Sequence, residues 1–283
     1  MTRKQSSGIR TWVADHPLVA YVALAYLVSW GWWVPFVVAG DLVEQGVGWP
    51  TQFPGLLGPL IAAVIVTALA EGRAGLGALW GRMGAWRAGW WWLSVPAILG
   101  AGAVGLAFST RSLDSTDLVS YSGIGVSVGT IVTILIVFFV NGFGEEAGWR
   151  GFAVDRLLVR HSLASTSLIV AVMWSIWHAP LFFLMESFKG FGVGGTIGWV
   201  VGLTAGSVVL TWLYRGSRRS ILLVAAWHTA FNFTSATPAA SGTVAAISST
   251  VVMVAAVIVL IVDWRGQRAV LAPDREGVKI STG

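Results

Sequence analysis

Two adjacent carboxylates, Glu145 and Glu146, follow an apolar run that closes with Phe138-Phe139-Val140, and Arg150 comes four residues after the second of them. A charge near the hydrocarbon of a bilayer costs on the order of 2.5 to 3.5 kcal/mol unless it is paired or solvated, so something must hold these two. On a helix, a step of four puts Glu146 and Arg150 on one face within ion-pair reach, while Glu145 lies about 100° round the axis. One glutamate is then neutralised and the other is left for chemistry. Of four histidines, His178 and His228 lie inside apolar runs. Each alone reads as an interhelical hydrogen bond; together with Asn232, four residues after His228 and so on its helix face, they read as a constellation. Glu145 and His178 gripping one water could remove its proton as it attacks a carbonyl. His228 and Asn232 side by side could donate hydrogen bonds to the oxyanion that forms.

The elements that must position these groups are read from composition. Of 283 residues, 55% are hydrophobic and 11% charged, which places the chain in the membrane class rather than among soluble domains with about 25% charged residues. Eight apolar runs approach the length of a span, at 18 to 40, 54 to 70, 90 to 109, 122 to 143, 163 to 185, 194 to 214, 220 to 236 and 243 to 262. The expectation is an all-α polytopic membrane protein of about eight transmembrane helices, with a polar cavity among spans four, five and seven. Of the 18 basic residues, 16 fall in alternate connections and the two ends, and only Arg111 and Lys189 fall on the other side. The positive-inside rule makes the richer side cytoplasmic, so both termini are expected in the cytosol and the number of spans even. The net charge of +5 is then a topology signal that needs no nucleic-acid partner.

The absence of cysteine excludes disulfides, thiolate metal sites and cysteine nucleophiles. The first run exceeds a signal-peptide core, and its A-x-A match, Ala23-Leu24-Ala25, lies within it, so an uncleaved helix is expected. The 17 tryptophans cluster at Trp30, Trp32 and Trp33 and at Trp90, Trp91 and Trp92, as an aromatic belt would. Gly125-Val126-Ser127-Val128-Gly129 matches the serine-hydrolase elbow by letter but lacks its strand-turn-helix setting. The organisation is a cytosolic segment at 1–17, a transmembrane scaffold at 18–121, a catalytic core at 122–262 and a cytosolic tail at 263–283. Pro180, which has no amide proton, could unwind the chain beside His178 and help open the cavity.

The double glutamate with arginine at Arg150, the aromatic Trp174 four before His178, and His228 four before Asn232 together resemble the CPBP intramembrane proteases. This group is also called the Abi or CAAX-protease family and includes Rce1-type prenyl-protein endopeptidases. The resemblance covers roughly residues 120 to 236. It implies an intramembrane endopeptidase with Glu145 as base, Glu146 and Arg150 as a supporting pair, His178 holding water, and His228 and Asn232 stabilising the oxyanion. The implied partners are a peptide or protein substrate, lipidated or not, and the lipid bilayer. Trp174 stands where the family usually has phenylalanine, which bears on pocket shape more than on chemistry.

By residue type, Glu145, His178 and His228 could also make a zinc site with water as the fourth ligand. The helical His-Glu-x-x-His signature is absent and asparagine is a poor ligand, so the expectation is no cofactor, with zinc the alternative. Buried glutamates and histidines would equally suit a membrane carrier, though carriers usually repeat their polar groups in both halves. A scaffold or immunity protein is the third reading. One difficulty is depth: hydropathy puts Glu145 at the cytosolic end of span four, whereas His178 is about 22 Å into span five. The two meet only if span four starts later and continues past Arg150, or if span five begins deeper; a longer fourth helix reaching beyond Arg150 is expected.

Overall fold

The computed structural model describes residues 8–109 and 114–271, and among these every regular element is helical. The chain runs through α1 (Gly8–Asp15), α2 (Pro17–Ala39), α3 (Phe53–Ala70), α4 (Gly72–Met83) and α5 (Gly89–Ala107). It continues through α6 (Thr130–Leu157), α7 (Leu163–Leu184), α8 (Val193–Gly216), α9 (Ile221–Phe233) and α10 (Thr243–Leu271). Seven of these, α2, α3, α5, α6, α7, α8 and α10, are long and apolar enough to cross a membrane. The eighth apolar helix, α9, has 13 residues, about 20 Å, too short to span about 30 Å of hydrocarbon alone. The protein is an all-α polytopic membrane protein, with seven full-length helices and one short one where eight spans were expected. Arg3, Lys4, Arg111, Arg275 and Lys279 lie outside the described residues, as do the first seven residues of the N-terminal segment and the last twelve of the tail. The proposed tail begins inside α10, which runs on to Leu271.

The central element is α6. Gly129, at φ +81°, breaks the chain before Thr130, so this helix starts eight residues later than the hydropathy run and continues two turns beyond Arg150. Every residue from Asn141 to Val154 is buried. Two wide π-helical stretches, Val137–Phe143 and Trp149–Val154, flank the turn that carries the glutamates. Such turns recur at functional sites because they re-aim neighbouring side chains. Small residues let other helices reach the axis of α6. A Cβ on Gly142 would fall 2.8 Å from Thr229 Oγ1 and 2.9 Å from the Ala225 carbonyl on α9, and one on Gly148 would fall 2.5 Å from both Tyr21 Oη on α2 and Pro59 Cβ on α3. Side chains at these positions would force the helices apart.

Depth follows from this longer helix. Glu145 lies ten residues before Asp155, and Trp174 eleven residues after Leu163, so both stand about 15 to 17 Å in from the end where α6 and α7 join. The glutamates are therefore near mid-membrane, not at a helix end. That end is tied by charge: Arg82 Nη1 to Asp155 Oδ2 at 2.7 Å, Arg219 Nη1 to Asp155 Oδ1 at 3.0 Å, Arg215 Nη2 to Asp263 Oδ1 at 2.7 Å, and Arg156 to Glu71. Arg150 does not belong to this group. It is fully buried, so one of the 16 basic residues counted as cytosolic is a core residue.

The scaffold half does more than pack. Tyr26 Oη donates to the Met173 carbonyl, Trp30 Nε1 to the Trp177 carbonyl at 3.0 Å, and Trp177 Nε1 to Ser29 Oγ at 2.7 Å, so α2 is laced to the part of α7 that leads into His178. Trp33 is fully buried, with its indole on the Gln52 carbonyl, and Trp32 donates to the Thr51 carbonyl. These three tryptophans are thus internal ties rather than belt anchors, while Trp90 is exposed as a belt residue would be. Ser127 sits in a short 3-10 turn with no strand before it, which removes the hydrolase-elbow reading.

Candidate active site

Glu145 comes from the single α-helical turn between the two π stretches of α6 and is 2% exposed. Its Oε2 accepts the indole N–H of Trp174 at 2.7 Å, a bond made between α6 and α7 at equal depth. Its other oxygen, Oε1, accepts no hydrogen bond from the described residues. Glu146 is fully buried and takes two donors on one oxygen: Arg150 Nη1 and His228 Nδ1 both reach Oε1 at 2.8 Å. The Arg150 guanidinium lies 4.5 Å over the Trp174 ring, a cation–π contact that a desolvated arginine uses well.

The histidines are oriented by their Nδ1 atoms. The helical part of α7 ends at Trp177, and His178 opens the turn that leads to Pro180. His178 Nδ1 lies 2.8 Å from the Trp174 carbonyl; a carbonyl only accepts, so the proton is on Nδ1 and Nε2 is the side left for a ligand or water. His228 Nδ1–H points at the Glu146 carboxylate, again leaving Nε2. The carbonyls loosened around Pro180 are taken up locally: Ala179 N–H bonds to Ile176 O, and Trp30 reaches Trp177 O. Asn232 is half-buried, one turn beyond His228, and its side-chain amide makes no hydrogen bond to the described residues.

The three helices are thus joined through two centres. Glu146 links α6 to α9, and Trp174 links α7 to α6 by its bond to Glu145. The Trp174 ring also stands 5.5 Å from the His228 ring and 5.8 Å from the His178 ring, centroid to centroid. Of the six residues singled out in the sequence, Glu146, Arg150 and His228 form one bonded group. Glu145 and His178 are each bound to Trp174, at the indole and at the carbonyl, and have no direct bond to one another. Trp174, whose aromatic letter in the sequence bears on pocket shape, is in the structure also a hydrogen-bond donor. Asn141, one turn before Glu145 on α6, is buried with its Oδ1 unpartnered; an amide inside an apolar run at that spacing was the signal for it. Tyr121, in the connection before α6, is buried as well, and its phenol is pushed up, first by burial and then by the Glu145 charge. It therefore stays protonated.

A zinc ion needs three side chains turned to one point. Among the described residues no three His, Asp or Glu groups stand close enough together to hold a metal, although Glu145 Oε1 and Nε2 of both histidines are free of other partners. The spacing as it stands does not fit the metal.

A family model described as Rce1-like, type II CAAX prenyl endopeptidase, matches residues 127–234. The protein named CAAX prenyl protease 2 of Methanococcus maripaludis is 28% identical over 145 residues, covering 50% of this chain and 52% of that protein. The chain spans about half the length of this curated relative. The stretch from 127 to 234, which carries all six residues singled out above, is therefore similar to Rce1-like CAAX prenyl endopeptidases.

Proposed function

We propose that this chain is an intramembrane endopeptidase that hydrolyses a peptide bond with water activated by Glu145. The observation that carries the proposal is that Trp174 bonds both Glu145, which keeps one oxygen free, and His178, while the neighbouring Glu146 bonds His228, each imidazole keeping its Nε2 free. Water held between Glu145 Oε1 and His178 Nε2 gives its proton to the carboxylate as its oxygen attacks the carbonyl carbon. The negative charge passes to the carbonyl oxygen, where Asn232 Nδ2–H and the Nε2–H of a protonated His228 donate to it. Glu146 supports that imidazolium through Nδ1, and Arg150 pairs with the same carboxylate oxygen. Collapse breaks the C–N bond, and the leaving amine takes the proton back from Glu145. No metal is required.

The likeness to a CAAX prenyl protease extends the proposal to substrate: a protein or peptide whose cysteine is prenylated. The charge distribution extends it to topology, with both ends of the chain and the ion-paired end of the bundle in the cytosol. The test uses the detergent-solubilised full chain, a quenched fluorescent peptide with a prenylated cysteine, the same peptide unprenylated, and a chelator. The wild type should cleave the prenylated peptide with the chelator present, Glu145→Gln should lose at least about 10²-fold in kcat, and Asn232→Ala about 10²- to 10³-fold. Wild-type turnover by Glu145→Gln would reject the reading. Loss of activity on chelation, restored by zinc, would replace the metal-free route.

A further inference from the structure

Trp174 is placed to act on Glu145 in a way that a purely apolar aromatic residue could not. Its indole N–H ends on Glu145 Oε2 at 2.7 Å, within a site where both residues are buried. Hydrogen bonds to an ionised group are short and roughly twice as strong as neutral ones, so this bond fixes the carboxylate's rotation. Its backbone carbonyl meanwhile accepts from His178 Nδ1 at 2.8 Å, which fixes that imidazole's orientation and leaves its Nε2 free. One residue therefore orients both groups that would grip the attacking water, and its ring covers Arg150 at 4.5 Å.

We propose that Trp174 is a positioning residue for the hydrolysis: its indole N–H holds one oxygen of Glu145 and so presents the other to water. The proposal rests on the reading of Glu145 as base. Trp174→Phe keeps an aromatic ring beside Arg150 and the backbone carbonyl under His178 while removing the N–H together with part of the indole, so the indole resonance and the split between kcat and KM separate the lost bond from the lost volume. It is also the residue usual in the resembled family, so the cost is a mispositioned base rather than a lost one.

The test compares wild type, Trp174→Phe and Glu145→Gln by cleavage of the prenylated peptide and by nitrogen–proton NMR of the indole groups. In Trp174→Phe, kcat should fall about tenfold with KM unchanged, since the lost bond serves the base and not the grip on substrate. Of the chain's 17 indole resonances, the one missing in Trp174→Phe should be the one displaced in Glu145→Gln, where a carboxylate acceptor becomes a neutral amide. Unchanged kcat in Trp174→Phe, or a Trp174 resonance indifferent to Glu145→Gln, overturns the positioning role; if Glu145→Gln is inactive in the same assay, the hydrolysis reading survives. An active Glu145→Gln overturns both. Because the resonance reports the bond without turnover, the two failures are told apart.

Discussion

Both donors to Glu146, Arg150 Nη1 and His228 Nδ1, end on the same oxygen, while Oε2 and the Arg150 Nε and Nη2 atoms have no partner among the described residues. Removing two charges from water costs several kcal/mol each, and the pair recovers it only while both members are present. Arg150→Met leaves an uncompensated buried carboxylate and should destabilise the protein by about 3 to 5 kcal/mol. Adding Glu146→Gln to it should return part of that loss, and thermal unfolding in detergent reads both. The pair itself was legible in the sequence, because a step of four on a helix admits few alternatives. The role of Trp174 was not: an aromatic letter at that place fixes a ring but not the direction of its N–H, which depends on α6 and α7 meeting at the same height. Nor could hydropathy reveal that Arg150 is internal, since a lone arginine after an apolar run resembles a boundary until its partner is known.

The close approach of α9 to α6 makes the packing of the elements a functional quantity. Gly142→Ala would set a methyl 2.8 Å from Thr229 Oγ1, one residue after His228. Overpacking of this kind costs typically about 1 to 3 kcal/mol, and here it also moves the imidazole relative to Glu146. Gly142→Ala should therefore lower both melting temperature and kcat. Gly77→Ala, on α4 with nothing within 4 Å of its Cβ, should raise the melting temperature, by roughly 0.5 to 1 kcal/mol in stability, and leave turnover alone. Most helix limits lie within a few residues of the hydropathy runs because apolar length is what a bilayer selects. The exceptions are α6, which starts eight residues late and runs on to Leu157, and α10, which continues nine residues beyond its apolar run. The start of α6 is set by Gly129, and that of α9 by the Ser220 cap, whose Oγ accepts the Leu223 N–H at 3.1 Å.

At the scale of the molecule, Glu71, Arg82, Asp155, Arg156, Arg215, Arg219 and Asp263 gather at one end of the bundle. The proposed orientation puts that end in the cytosol, and a chain without cysteine allows a direct check. Arg87→Cys, in the connection after α4, should react with an impermeant thiol reagent only when the cytosolic face is opened. Ser187→Cys, between α7 and α8, should react from outside in intact cells; the reverse pattern would invert the topology.

The depth of Glu145 has an electrical side. A group about 15 Å inside a layer roughly 30 Å thick sits near the middle of any voltage drop across it. A full crossing is worth about 2.3 kcal/mol per unit charge at 100 mV, so a proton travelling from either bulk phase to Glu145 works against or with about 1 kcal/mol. That is roughly a fivefold bias in how often the carboxyl is occupied, imposed by an energised membrane and missing in a detergent micelle.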